Sequence, residues 1–512
     1  MAKFILAYDL GTTGNKSTIF NLNGDIISST YIEYPTEYFG KNCAEQNPLD
    51  WWRSICDSNK KLFKNRAITK NDICCISFSG HMAGCLPVNK KGEPLRNAII
   101  WVDGRSVKQA NILIKKVGME NGFRITGERL SPMRTASKIM WIMDNESDIF
   151  KNTYKILHTK DFIISKLTGK FVTDYSDASC MNLFDLEKCD WSYDLIKASM
   201  IPLKILPQVY PSTFVIGEIS AKNAEEVGLK SGTPIVIGGG DAACAGAGAG
   251  VFQEGETYNY YGSCSWVGVA VKKPIIDKKM ITYTIYHLDP KIFLSTGDSS
   301  NGGYSFQWFA NEIWRSEKFF CDDLRLNFYK VIDEKSKSSR DRINLLFLPY
   351  IRGENCPYYN PNARGVFFGI SPNHTKEDFT RAVLEGVTFN QKIILEYFES
   401  QGIKIKDIIV IGGGAKSSIW LKIMADIYNK RILKPKSLQE ATSLGAAMAG
   451  GVGVGLFKDF NEAKSMVQIV ENIEPDIFKN ETYERIYPLF KDLYTMLLPA
   501  FEKLAQIKMN QY

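Results

Sequence analysis

The run IIVIGGGAKSSIW at residues 408–420 constrains the fold of this chain more than any other stretch. Ile408, Ile409, Val410 and Ile411 are apolar and mostly β-branched, the composition of a buried strand. Gly412, Gly413 and Gly414 follow at once, then Ser417 and Ser418 as alternative helix N-caps. Trp420, Ile423, Met424 and Ile427 then recur at helical spacing. A strand passed into a helix through bare glycines belongs in an α/β layer. Such a turn lets a flat ligand or a phosphate approach backbone N–H groups at a helix start, and a tight packing turn is the plainer alternative.

At 512 residues the chain exceeds one ordinary core, so two or three domains are expected. A composition of 45% hydrophobic and 23% charged residues is that of a globular protein. The net charge of +7 is spread without a basic run, too diffuse for a nucleic-acid partner. Eleven cysteines, an odd number with no C-x-x-C, argue against a disulfide framework and for a reducing cytoplasm. His81, His158, His287 and His374 form no metal-ligand spacing. The start MAKFILAYDLG enters a strand directly, without a leader pattern, and no uncharged apolar stretch reaches spanning length. No membrane partner is expected.

Residues 4–34 read as a β-meander: strands at 4–8, 17–22 and 25–34, with turns at 11–14 and Asn23-Gly24. A second hairpin is expected at 257–261 and 266–271 around Gly262-Ser263-Cys264-Ser265, hinting at an internal duplication. Further strands are expected at 74–78, 98–102 and 407–411, and a helix at 106–117. Thr375-x-x-Asp378 resembles a capping box opening a long helix. The last 30 residues look helical, broken by Pro488 and Pro499. A domain junction is expected near 250–256, giving domains 1–250 and 251–512.

Several short constellations bear chemistry. Asp9-Leu-Gly11-Thr12-Thr13-Gly14 sits at a strand end, where hydroxyls and glycine N–H groups suit phosphate oxygens and a carboxylate suits Mg²⁺; an ordinary β-turn is the alternative. Asp241 in GGGDAA at 238–243 is either a helix cap or a general base. In WVDGR at 101–105, Asp103 and Arg105 offer groups for sugar hydroxyls and Trp101 a stacking face, or else form a local salt bridge beside a core tryptophan. In Gly80-His81-Met82-Ala83-Gly84 a lone histidine is more often structural than catalytic.

Together these segments resemble the FGGY carbohydrate kinases, and within them the xylulokinase branch, from Phe4 to about Phe457. The resemblance rests on ordered motifs: DLGTTGNKS at 9–17, AEQNPLDWW at 44–52, WVDGR at 101–105, TDYSDAS at 173–179, GGGDAA at 238–243, YGSCSW at 261–266, FLPYIRGENCPYYNPNARGVFFGI at 347–370, RAVLEGV at 381–387, IGGGAKSSIW at 411–420 and EATSLGAAMAGGVGVGLF at 440–457. It implies two actin-like, ribonuclease H-type α/β domains with the active site in an interdomain cleft. It implies transfer of the γ-phosphoryl group of ATP, with Mg²⁺, to a hydroxyl of a small sugar. By the same resemblance Asp9 is the metal-side carboxylate and Asp241 the catalytic base. Thr12 and Thr13 form the first phosphate hairpin, and Gly262 and Ser263 the second. Gly412, Gly413, Gly414 and Ser417 line the adenosine site, while His81, Met82, Trp101, Asp103 and Asp241 face the sugar. Homodimers are common in the family.

The departures fall in the expected sugar pocket. Xylulokinase members usually read G-Q-M-H-G where this chain has Ala83, W-N-D-G-R where it has Val102, and G-D-N where it has Ala242 after Asp241. Losing polar groups that match hydroxyls changes which acceptor fits. D-xylulose is the expected acceptor, another ketose, a polyol or an aldonate such as gluconate the alternative. An ATP-driven switch and a non-catalytic sugar-binding regulator are the rival classes.

Overall fold

The computed structural model describes residues 4–40, 42–64, 68–276, 279–337 and 344–509. The chain divides into two compact units. The first comprises Met1–Gln253, Ala270–Ser295 and Glu440–Gln468; the second comprises Glu254–Val269, Thr296–Gln439 and Ile469–Tyr512. The first exchange between units lies beside the expected junction, but two later segments return to the first unit.

In the first unit, Phe4–Leu10 and Gly14–Phe20 form an antiparallel hairpin extended by Ile26–Glu33. Ile73–Gly80 lies parallel on the other side of Phe4–Leu10, followed by Pro234–Val236 and Val215–Glu218. The short strand Gly239–Gly240 also pairs with Ile73–Gly80. This register sets the site: Asp9 lies opposite Ser79 on one side of the central strand, and Gly239 opposite Ser79 on the other. The residues just before Asp241 therefore stand two strand spacings, about 10 Å, from the Asp9 strand.

Alternation sorts the two faces. Leu6, Tyr8, Leu10, Ile76 and Phe78 share a core with Trp51 and Ile55 of helix Pro48–Leu62 and Phe162 of helix Thr159–Thr168. On the other face, helix Ala441–Gly453 lies over Ile5, Cys75 and Ser77. It meets helix Asp241–Gly248 backbone to backbone. A Cβ on Gly445 would stand 2.0 Å from the Cys244 carbonyl oxygen, and one on Gly248 1.7 Å from that of Ala441. Only glycine permits this approach, so the helix that begins with Asp241 is held by a segment some two hundred residues later.

The second unit repeats the arrangement. Thr257–Tyr261 and Ser265–Val271 form a hairpin, and Asp407–Ile411 runs parallel beside the first strand. Arg431–Pro435 and the edge strand Ile469–Ile473 continue the sheet. The duplication hinted at by the two hairpins is thus present as topology. Thr375 caps helix Lys376–Ser400 with the expected capping box to Asp378.

Two expectations are corrected. Only Ala98–Ile99 of 98–102 is strand. The chain turns there because the Asp103 carboxylate accepts from its own loop and from the Ala44 N–H. The C-terminal segment is one helix, Ile477–Met509, running through Pro488 and Pro499. An internal proline costs about 3 kcal/mol. Buried Tyr483, Tyr487, Phe490 and Tyr494 recur at helical spacing and pack on Phe389 and Tyr358, which offsets that cost.

Candidate active site

The first hairpin tip is braced from four sides. Gly11 N–H donates to the Gly14 carbonyl at 3.0 Å, and Tyr34 OH donates to the Gly11 carbonyl at 2.5 Å. Gln46 Nε2 donates to the Thr12 carbonyl at 2.6 Å, and Thr13 Oγ1 pairs with Tyr31 OH at 2.7 Å. Trp101 Nε1 donates to Thr12 Oγ1 at 2.9 Å. An indole N–H only donates, so Thr12 accepts there and keeps its own proton for an incoming oxygen. Lys16 is half-buried and 3.8 Å from Glu440. Trp101→Phe keeps the aromatic face and removes that one donor. It should lower kcat about fivefold, the worth of one net hydrogen bond of about 1 kcal/mol. Steady-state kinetics showing no change would remove Trp101 from the hairpin's support.

Burial pushes the Asp9 carboxyl up, with Ser79 and then Lys16 pulling the other way. Asp241 is not a helix cap. Gly240 holds the cap position without a side-chain bond, and Asp241 is the first helical residue. Its Oδ1 accepts from Ala242 N–H at 2.8 Å. Its carboxyl is pushed up to about 7, first by burial, then by the charges of Asp9 and Asp177. A carboxylate poised there is suited to general-base work near neutral pH.

Behind Asp241 lies a buried polar network that the sequence did not disclose. Gly240 N–H donates to Ser176 Oγ at 2.9 Å, and Ser176 and Ser212 hydroxyls donate to Asp174. Lys160 Nζ sits 2.6 Å from Asp161, 2.9 Å from Asp174 and 2.9 Å from Asp177, all fully buried. His158, Asp161 and Asp177 are spaced for a metal, but the Lys160 ammonium already supplies the cation there. The motif TDYSDAS carried a signal, since Asp174, Ser176 and Asp177 all come from it; nothing local marked Lys160.

The remaining acceptor candidates are firmly packed. His81 is buried, its Nε2 is 2.8 Å from Thr159 Oγ1, and burial drops its pKa to about 3, so its ring is neutral. Met82 packs its sulfur where a Gly240 side chain would stand, next to Asp241. Asp103 is fully buried and paired with Arg105 at 2.6 Å, and Arg105 also meets Glu45 at 2.7 Å. The Asp103 carboxylate thus holds its own loop, while Trp101 remains partly exposed. Asp9, Thr12, Trp101, Met82 and Asp241 therefore gather around the ends of the first unit's central strands.

In the second unit, Gly262 and Ser263 form the hairpin tip. Their carbonyls accept from Gly303 and Tyr304 N–H at 2.8 and 2.9 Å, at the start of helix Gly302–Ile313. Gly412 takes φ +88° and lies against the Tyr261 carbonyl, so the glycine run and the hairpin tip are neighbours. Gly413 and Ser263 are exposed. Ser417 caps helix Ser418–Tyr428 by accepting from Trp420 N–H at 3.1 Å and donates its own proton to Asp333. Asp333, on helix Phe328–Ser336 and 3.2 Å from Ser418, is a further partner of this loop absent from the sequence reading.

The FGGY family of carbohydrate kinases matches by its N-terminal domain over residues 4–248 and by its C-terminal domain over residues 257–454. A xylulose kinase of Bacillus subtilis (strain 168) is 30% identical over 494 residues, 96% of this chain and 97% of that protein. A gluconokinase of the same organism is 29% identical over 507 residues, 99% of this chain and 98% of its own. Among solved structures, a ligand-bound xylulose kinase from Lactobacillus acidophilus aligns with a TM-score of 0.88 at 26% identity, covering 98% of this chain and all, 100%, of that one.

Proposed function

This chain belongs to the FGGY family of carbohydrate kinases, and on that premise we propose that it transfers the γ-phosphoryl group of ATP to a hydroxyl of D-xylulose, giving D-xylulose 5-phosphate. Its units have the actin-like α/β fold, and its reaction is phosphoryl transfer from ATP to an alcohol of a sugar. Among the described residues no helix is long and apolar enough to cross a membrane.

In this reading Asp241 accepts the proton of the attacking hydroxyl. The Thr12 and Thr13 hydroxyls donate to phosphate oxygens, as does the Ser263 N–H of the second hairpin, whose turn is closed by the Gly262 N–H donating to the Cys264 carbonyl at 3.0 Å. Gly412, Gly413, Gly414 and Ser417 receive the adenosine. Asp9 fits a divalent cation: its carboxylate and the Ser79 hydroxyl beside it are hard oxygens, and burial outweighs the pull of Ser79 and Lys16 on its charge. Mg²⁺ held there would neutralise charge on the phosphate oxygens.

The observation that favours a neutral ketose over an anionic aldonate is the charge around Asp241. Asp9 and Asp177 already raise its pKa by repulsion. The buried cations of this region are committed: Arg105 to Asp103 and Glu45, Lys138 to three carbonyls, Lys160 to three carboxylates. A gluconate carboxylate would enter this field without a partner. The likeness to a gluconokinase at 29% identity favours a second reading, gluconate as acceptor. Specificity constants for the two acceptors decide between them. D-xylulose should exceed gluconate by at least about a hundredfold, the scale of about 3 kcal/mol for one unpaired buried charge or polar group. Preference for gluconate would overturn the choice of acceptor while leaving the kinase reaction intact.

A further inference from the structure

Among the described residues, the fully buried Lys138 touches neither phosphate hairpin nor any carboxylate by hydrogen bond; burial draws its pKa down to about 7, and the carbonyls around it are placed to receive the protonated form. Lys138 Nζ donates to the carbonyls of Ala83 at 2.7 Å, Ile100 at 2.8 Å and Met133 at 2.8 Å. An ammonium has three protons, and all three are used on three separate chain segments. From the same helix, Thr135–Asn145, the Thr135 hydroxyl donates to the Gly84 carbonyl at 2.9 Å.

The three carbonyls lie where the acceptor candidates need support. Ala83 follows Met82 and takes φ +56°, a left-handed conformation that an alanine does not hold by itself. Ile100 precedes Trp101, whose indole reaches Thr12. A buried charge is expensive, and an apolar side chain in its place would leave buried carbonyls short of a donor. The Cys85–Ile99 backbone bridge already brings the first two segments together; what an ammonium adds is one point that ties their ends nearest Met82 and Trp101 to each other and to Met133.

We infer that Lys138 is the positioning residue of the acceptor site, locking the Met82-Ala83 backbone and the Ile100-Trp101 backbone at a set separation so that Met82 and Trp101 present one fixed surface to the sugar. The inference rests on the assignment of Met82 and Trp101 to that site. It requires no contact between Lys138 and substrate.

The test is steady-state kinetics of Lys138→Met and Lys138→Ala with D-xylulose and ATP varied separately. The KM for D-xylulose should rise at least tenfold while the KM for ATP stays within twofold. In Lys138→Ala, added propylammonium chloride should restore much of the lost D-xylulose affinity, and potassium chloride at equal concentration should not. A D-xylulose KM within twofold of wild type in the folded variants would overturn the inference. So would parallel losses in both KM values and in melting temperature without amine rescue, which describe a structural lysine only. If neither variant folds, Lys138→Arg keeps charge and donors on a bulkier head. It should fold with a raised D-xylulose KM, and an unchanged KM would overturn the inference. Trp101→Ala and Met82→Ala separate the two layers. If both leave the D-xylulose KM unchanged, the acceptor-site assignment fails and takes this inference with it; if both raise it and Lys138→Met does not, only the inference fails.

Discussion

Asp241→Asn should lower kcat about a thousandfold, within the range a positioned general base contributes, while the KM for ATP stays within twofold. Asparagine has the same shape, and its carbonyl oxygen can still accept from Ala242 N–H. What it lacks is the ability to take the hydroxyl proton. The wild-type rate should also fall on the acid side, because the working form is the carboxylate and burial pushes its pKa up, to about 7 without a cation at Asp9 and lower once Mg²⁺ offsets the Asp9 charge. That acid limb should vanish in the variant. Near-normal turnover of Asp241→Asn would sink the assignment.

Lys160→Met should cost about 3–5 kcal/mol of stability, the scale for removing one partner from a buried ion cluster. Three buried carboxylates, Asp161, Asp174 and Asp177, would then face one another without a cation. Burial alone would push Asp177 up, but Lys160 and His158 hold it at about 2. A depressed carboxyl contributes stability above its unfolded pKa and loses it as pH falls through the folded value. The deficit of the variant is therefore largest near neutral pH and shrinks as acid protonates the cluster. Urea unfolding at pH 7 and pH 3 measures this. An unchanged midpoint at pH 7 would mean that the cluster relaxes or hydrates once the lysine is gone. Because Asp174 leads through Ser176 to the Gly240 N–H, activity should fall along with stability.

The parts of this molecule that were legible in its sequence are the local ones. Hairpins at both ends of the duplication, the strand–glycine–helix run and the Thr375 capping box each depend on residues within a few positions of one another. Asp241 illustrates the limit. Its neighbours alone suggested a cap, and only the register of Phe4–Leu10, Ile73–Gly80 and Gly239–Gly240 brings it near Asp9. Asp103 was offered as a hydroxyl ligand or a salt bridge, and in the structure its carboxylate is occupied by Arg105 and the Ala44 N–H. Lys138 and Lys160 carried no pattern at all. Several of their partners come from distant segments, and a lysine inside an amphipathic helix reads as solvated until the fold buries it. Pro488 and Pro499 misled in the opposite sense, because local helix-breaking chemistry was outweighed by the aromatic packing of Tyr483, Tyr487 and Phe490.

The most direct test of the whole account is ADP formation from Mg-ATP with and without D-xylulose, with the product identified by mass and by ³¹P NMR. The account predicts slow ADP release alone, strong stimulation by D-xylulose, and one equivalent of D-xylulose 5-phosphate per ADP. ADP release that no sugar stimulates, or sugar binding with no turnover, would contradict it.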